Sequence, residues 1–332
     1  MRHTFFCIDG HTAGNPVRLV VGGHPQLAGN SLSDMRVCFM EQFDWIRKGL
    51  MFEPRGHDMM SGGFIYPPKD PRADFGVVFI ETSGCLPMCG HGSIGIITFG
   101  LEHGLIQPKT PGKLVMEAPA GLIEVSYQQQ GQKVEWVKLT NVPSYLAAED
   151  IHINIPGCGP LTVDVSYGGN YYAIVEPQAS YAGLDSFSAA DILRLSPLVR
   201  AAVREQFQPV HPLNPAIKGV SHVLWADKPA SADAHGRNAV FYGDKAIDRS
   251  PCGTGTSARM AHLVAKGRLA VGDTFVHESY IKSRFIGRVE AATELAGHPA
   301  IIPSIQGTAY TTGFNQIWID DDEPFAEGFQ VV

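Results

Sequence analysis

Charge is scarce in this chain. Only 18% of its 332 residues are Asp, Glu, Lys or Arg, the net charge is −7, and no basic cluster offsets the acidic excess. Nucleic acid, whose phosphates call for a positive footprint, is therefore not expected as a partner. Long hydrophobic runs are missing as well. No window approaches the ~18 consecutive apolar residues of a membrane span, and Met1-Arg-His-Thr-Phe-Phe-Cys-Ile-Asp9 is too short an apolar stretch for a secretion signal. No membrane partner and a cytoplasmic address are the expectation. Without a secretion signal, the six cysteines read as free thiols rather than as a disulfide framework. Low-complexity linkers are absent too, yet at 44% hydrophobic the chain can fill the cores of two ordinary domains.

What is present is repetition. Met88-Cys-Gly-His-Gly-Ser-Ile-Gly95 shares the pattern Cys-Gly-x-Gly-Ser/Thr with Pro251-Cys-Gly-Thr-Gly-Thr-Ser-Ala258, the cysteines at 89 and 252 lying 163 positions apart. A second pair, Gly14-Asn-Pro-Val-Arg-Leu-Val20 and Gly169-Asn-Tyr-Tyr-Ala-Ile-Val175, recurs at a spacing of 155. Two offsets that differ by so little fit a duplicated domain with small insertions. The chain reads as two related halves, each offering one thiol to a shared cleft.

Each cysteine stands just before a helical pattern. Ile94, Ile97 and Leu101 recur at helical steps between His91 and about His103, with Gly104 as a stop. Met260, Leu263 and Val264 do the same between Thr254 and Lys266. Glycines beside a thiol let backbone amides approach a ligand, and the free amides of a helix start attract anions. A helix start contributes up to about 2 kcal/mol, which would bring a thiol from ~8.5 to about 7; burial opposes this. Two such turns holding one carboxylate would put the adjacent carbon between two sulfurs. One thiolate could take its proton while the other thiol supplies a proton to the opposite face, with oriented amides stabilising the enolate-like charge. No metal and no cofactor is called for.

At these motifs the chain resembles the proline racemase family, and within it the hydroxyproline epimerase branch. The likeness extends through Asp9-Gly-His-Thr-Ala-Gly-Asn-Pro16, Glu53-Pro-Arg-Gly-His-Asp58, Gly168-Gly-Asn170 and Asp248-Arg-Ser-Pro-Cys-Gly-Thr-Gly-Thr256. The resemblance implies that Cys89 and Cys252 are the catalytic pair and that the amides of Gly90, His91, Gly253 and Thr254 hold a substrate carboxylate. It also implies that Asp248 and the His91 side chain contact the ring nitrogen or support the thiols. Retention of Cys252 argues against the dehydratase branch, where threonine is typical. Ser61 and His222 stand where the family's proline racemases tend to carry a bulky apolar residue and a cysteine, which implies room and a partner for a ring hydroxyl. The implied substrate is 4-hydroxyproline, with proline as the alternative and a homodimer compatible with either.

The implied fold is of the diaminopimelate-epimerase kind: two pseudo-symmetric α/β (α+β) halves, each a curved sheet around a central helix. The first half is expected over 1–125 plus about 305–332, the second over 126–304, with the strand near Gln316 to Ile319 returning to the first. Strand-like runs fall at Arg18 to Val21, Val77 to Ile80, Leu122 to Tyr127, Val134 to Thr140, Tyr171 to Val175 and Ala239 to Tyr242. Ser33-Asp34 is expected to cap a helix over Met35 to Lys48, with Val37, Met40, Phe43 and Ile46 on its buried face. Cys7, Cys38 and Cys158 read as structural, and Cys85, four before Cys89, lacks the second ligand pair a metal site would need. Two readings of another class stay open: a non-catalytic amino-acid binder, and a redox protein, whose cysteines would need Cα atoms within about 7 Å.

Overall fold

The structure, a computed structural model, describes residues 1–331. The chain divides into two compact units, Met1–Leu139 with the chain from Gly307 onward, and Thr140–Gln306. The expected boundary at residue 125 lies inside a strand of the first unit, Gly121–Gln130, paired from Gly121 to Ser126 with Lys113–Ala118. Returning to the first unit, the strand Ala309–Asp320 pairs antiparallel with Arg2–Thr12.

The two units repeat one topology. In the first, the strands run Ala309–Asp320, Arg2–Thr12, Asn15–Gly22, Ser61–Tyr66, Phe75–Glu81, Lys113–Ala118 and Gly121–Gln130. Successive neighbours are antiparallel, antiparallel, parallel, antiparallel, parallel and antiparallel. In the second, Tyr145–Ile155, Gly159–Tyr167, Tyr171–Val175, Val220–Asp227, Gly236–Tyr242, Thr274–Glu278 and Arg284–Leu295 give the same series of senses. Parallel neighbours require a crossover, and the helices occupy those crossovers. In the first unit they are α1 (Leu32–Gln42) with α2 (Asp44–Met51), then α3 (Gly90–Glu102); in the second, α4 (Ala189–Gln206), then α5 (Gly253–Ala265).

The helices α3 and α5 are central to their units. Every residue of α3 from Gly90 to Leu101 is buried, as is every residue of α5 from Gly253 to Leu263. A helix apolar on all sides must be enclosed, and α3 meets the strands Arg2–Thr12, Asn15–Gly22, Ser61–Tyr66 and Ala309–Asp320. The sheet of the second unit curls round α5, which touches its first three strands and also Arg284–Leu295 near the far end of the order.

The expected helix over Met35 to Lys48 is two helices. Ser31, not Ser33, is the cap: its Oγ accepts from the Asp34 amide at 3.1 Å while the Asp34 carboxylate accepts from the Ser31 amide at 3.1 Å. The break comes at Phe43, and the face turned to the core is Leu32, Met35 and Phe39, then Ile46, Leu50 and Met51; Val37, Met40 and Phe43 are half-buried. The 18-residue α4 contains Pro197, a residue that argues against a helix when read in sequence.

Candidate active site

In the first unit the site is built on the start of α3. Cys89 is its N-cap, in extended backbone (φ −135°, ψ 109°), and its side chain is buried. The His91 ring lies against the thiol, Nδ1 3.7 Å and Nε2 3.9 Å from Sγ. The ring is also held through Nε2, 3.0 Å from Asn15 Nδ2 and 2.7 Å from Ser61 Oγ. Thr12 donates to the His91 carbonyl at 2.8 Å, and Ser93 donates to the Cys89 carbonyl at 2.6 Å. Ser61 Oγ also lies 2.9 Å from the Pro16 carbonyl oxygen. Its hydroxyl is engaged by His91 and the chain, so small size, rather than a free hydroxyl, is what Ser61 offers a ligand.

The second unit repeats the arrangement on α5 with different partners. Cys252 is the N-cap and is buried, but its φ of 63° is positive. For a residue with a Cβ this region costs of order 1–3 kcal/mol and persists only where the surroundings over-determine it. Here Cys252 N donates to Ser250 Oγ at 3.1 Å, and Asp248 Oδ1 accepts from the Ser250 amide and hydroxyl, each at 2.8 Å. Asn238 Nδ2 donates to the Pro251 carbonyl at 2.8 Å, and Thr256 donates to the same oxygen at 3.2 Å. Asp248 thus braces the turn that presents the thiol.

Sequence reasoning missed Tyr172. Its Oη lies 3.2 Å from Cys252 Sγ and 2.5 Å from Thr254 Oγ1, and Asn170 Nδ2 donates to Thr254 Oγ1 at 3.2 Å. The His222 ring packs on the Tyr172 ring with centroids 4.7 Å apart, its Nδ1 2.7 Å from Ser221 Oγ. A signal existed in the repeated Gly-Asn of 14–15 and 169–170. Asn15 holds His91 and Asn170 holds Thr254, so the repeat preserves an asparagine on the residue two past each cysteine.

The second glycine of each motif has a steric cause. A Cβ at Gly92 would stand 2.8 Å from Cys89 Sγ, and one at Gly255 would stand 3.1 Å from both Cys252 Sγ and Cβ. Each sulfur therefore folds over its own helix start. Electrostatics there differ from the helix-start expectation. Burial holds the Cys252 thiol well above its ordinary value and the Asp248 carboxylate adds to this, while hydrogen bonds from Tyr172, the Gly255 amide and Thr254 pull it down. Burial is the largest of these influences on Cys252.

Two further motifs are joined through one side chain. Arg18, buried, pairs with Asp9 through Nε–Oδ1 and Nη2–Oδ2, both 2.8 Å, and donates to the carbonyls of Leu50 at 2.7 Å and Arg55 at 2.8 Å. Asp9-to-Pro16 and Glu53-to-Asp58 are tied by this one guanidinium. Cys7 and Cys85 lie in the first unit's core, where burial pushes each thiol up to about 12. Among the described residues no group of three His, Cys, Asp or Glu is placed to hold a metal ion, and no helix is long and apolar enough to cross a membrane.

The family model described as proline racemase matches residues 7–330. The chain is 61% identical over 332 residues, all of both chains, to a 4-hydroxyproline 2-epimerase of Shewanella loihica. Among solved structures it is similar to a hydroxyproline epimerase from Agrobacterium vitis with bound trans-4-hydroxy-L-proline. The TM-score is 0.92 at 30% identity, covering 99% of this chain and 95% of that one. A probable proline racemase from Agrobacterium radiobacter, with bound carbonate, gives a TM-score of 0.91 at 32% identity over 98% and 96% of the two chains.

Proposed function

The chain belongs to the proline racemase family of isomerases, and from that premise we propose that it is a 4-hydroxyproline 2-epimerase, converting trans-4-hydroxy-L-proline to cis-4-hydroxy-D-proline without a cofactor. In this reading Cys89 and Cys252 are the two proton carriers. One sulfur, as thiolate, takes the α-proton: the Cα–H bond breaks, an S–H bond forms, and the electron pair moves onto the carboxylate as an enolate. The other thiol then gives its proton to the opposite face of the carbon. The amides of Gly90 and His91 at one helix start, and of Gly253 and Thr254 at the other, hold the carboxylate as charge develops on it, and such preorganised donors are worth most where water is excluded.

The observation that carries the reading is the duplicated thiol turn: each cysteine is the buried N-cap of a helix buried over its first eleven residues, with its own polar partner two residues on. The Shewanella relative's 61% identity supports the choice of substrate. His222, with Nδ1 on Ser221, and the small Ser61 are assigned to the ring hydroxyl and the space beside it; His91 and Asp248 are assigned to the ring nitrogen, alongside their support of the two turns.

The test compares kcat/KM for trans-4-hydroxy-L-proline and L-proline, with the product examined for α-deuterium in deuterated water. A buried polar partner left unpaired by proline costs about 1–3 kcal/mol, so a preference of roughly tenfold to a hundredfold for the hydroxylated ring is expected, with deuterium incorporated. Equal or better turnover of proline makes the chain a proline racemase. Absence of turnover on either leaves the amino-acid binder.

A further inference from the structure

The polar groups round Cys252 form a hydrogen-bonded chain that begins at a fixed donor. Asn170 Nδ2 can only donate, and it donates to Thr254 Oγ1 at 3.2 Å. The Thr254 hydroxyl keeps its own proton, and we assign that proton to Tyr172 Oη, 2.5 Å away and nearer than Cys252 Sγ at 3.9 Å. Tyr172 accepts there, which leaves its single proton for Cys252 Sγ at 3.2 Å. We propose that Tyr172 is a positioning residue that donates a hydrogen bond to the Cys252 thiolate, and that Asn170 and Thr254 fix the direction of that bond.

All four residues are buried, with Tyr172 fully so. Charge-assisted hydrogen bonds of this kind are about twice as strong as neutral ones, and the effect grows where solvent is excluded. Burial also raises the Tyr172 phenol well above its ordinary range, so it keeps its proton beside a thiolate. The His222 ring, packed against Tyr172, fixes the plane of the phenol. The donor is needed on this side in particular, because the Asp248 carboxylate and the buried setting both disfavour a thiolate at Cys252. Cys89 has His91 in the corresponding place. The inference rests on the reading of Cys252 as a proton carrier, and it adds how an enclosed thiol is made able to ionise.

The experiment reads the thiol and not turnover, so its result stands or falls separately from the hydroxyproline assay. The full chain is alkylated with iodoacetamide across pH, and the labelled Cys252 and Cys89 peptides are quantified separately. In Tyr172→Phe the Cys252 profile should move up by about one pH unit or more, an approximately tenfold loss of thiolate at a fixed pH below it, with Cys89 unmoved. Thr254→Val, which keeps the shape and removes the hydroxyl, should move it upward by less, and Thr254→Ser should restore it. An unmoved Cys252 profile in Tyr172→Phe overturns the proposal, as does a shift shared equally by Cys89, which would report loosening of the whole fold. A downward shift in Thr254→Val also overturns it, because it would mean that the Tyr172 proton points to Thr254 and is released to sulfur only when that hydroxyl is gone.

Discussion

Cys89 and Cys252 enter their helices with the same ψ, 109°, and opposite signs of φ, −135° and 63°. The shared ψ sets how each carbonyl leads into the helix, so the thiol turn itself is one device used twice. The differing φ concerns only the segment that arrives. Before Cys252 that segment is Asp248-Arg-Ser-Pro251, braced by the Asp248 carboxylate, the Ser250 hydroxyl and Asn238. At Cys89 itself the backbone is extended, with no positive φ to hold. The partners two residues past the sulfur differ too: an imidazole for Cys89, and a hydroxyl that serves a phenol for Cys252. Duplication has kept the helix start, the cradle glycine and the asparagine, and has let the ionisable neighbour diverge.

The strongest way to break the comparison is to remove one sulfur at a time. If both turns carry protons, Cys89→Ser and Cys252→Ser should each lower epimerisation by at least about a hundredfold, because a hydroxyl supplies almost no anionic base at neutral pH. The measurement is polarimetric turnover of hydroxyproline by purified, folded variants. Retention of more than about a tenth of activity by either would make that half a scaffold and leave a single-base mechanism.

The cradle glycines sharpen the comparison. A Cβ at Gly92 would come within 2.8 Å of Cys89 Sγ, whereas at Gly255 the approach to Cys252 is 3.1 Å and Tyr172 Cε1 stands at 3.2 Å. The first is a clash that only displacement of the sulfur can relieve; the second is tight but shared among neighbours. Gly92→Ala should cost about 1–3 kcal/mol, the range for overpacking, and Gly255→Ala should sit at the lower end. Denaturant unfolding monitored at constant m-value separates the two. The reverse order would mean that the strained turn at Cys252 yields less readily than the extended one.

Much of the site was legible in sequence because its grammar is local. A cysteine, flanking glycines and a helical period sit within a dozen residues, and both central helices begin within two residues of the expected place. Tyr172 was not legible, because its approach to Cys252 spans 80 residues and depends on the parallel pairing of Tyr171–Val175 with Val220–Asp227. Ser61 was named from the resemblance, but its bond to His91 was not legible, because His91 arrives through α3 and not through the strand of Ser61. The cap at Ser31 was misplaced by two residues because Ser31 and Ser33 both precede plausible helical residues, and only the reciprocal bond with Asp34 decides between them. Pro197 hid α4, since a proline within a helical pattern reads as a stop.

The smallest effect tests the scaffold. The first crossover helix in each unit starts with the same reciprocal cap: Ser31 with Asp34 on α1, and Ser188 with Asp191 on α4. Ser188 Oγ accepts from the Asp191 amide at 3.2 Å, and Asp191 accepts from the Ser188 amide at 3.0 Å, close to the 3.1 Å of both bonds at Ser31. Both caps are exposed, so neither gains from burial and solvent screens both alike. Ser31→Ala and Ser188→Ala should therefore each cost about 1 kcal/mol, within a few tenths of one another, and leave turnover unchanged. A loss at Ser188 well above that at Ser31 would show that α4, with Pro197 in its interior, depends on its cap to stay helical. The halves would then differ in their scaffold as well as in the neighbours of their thiols.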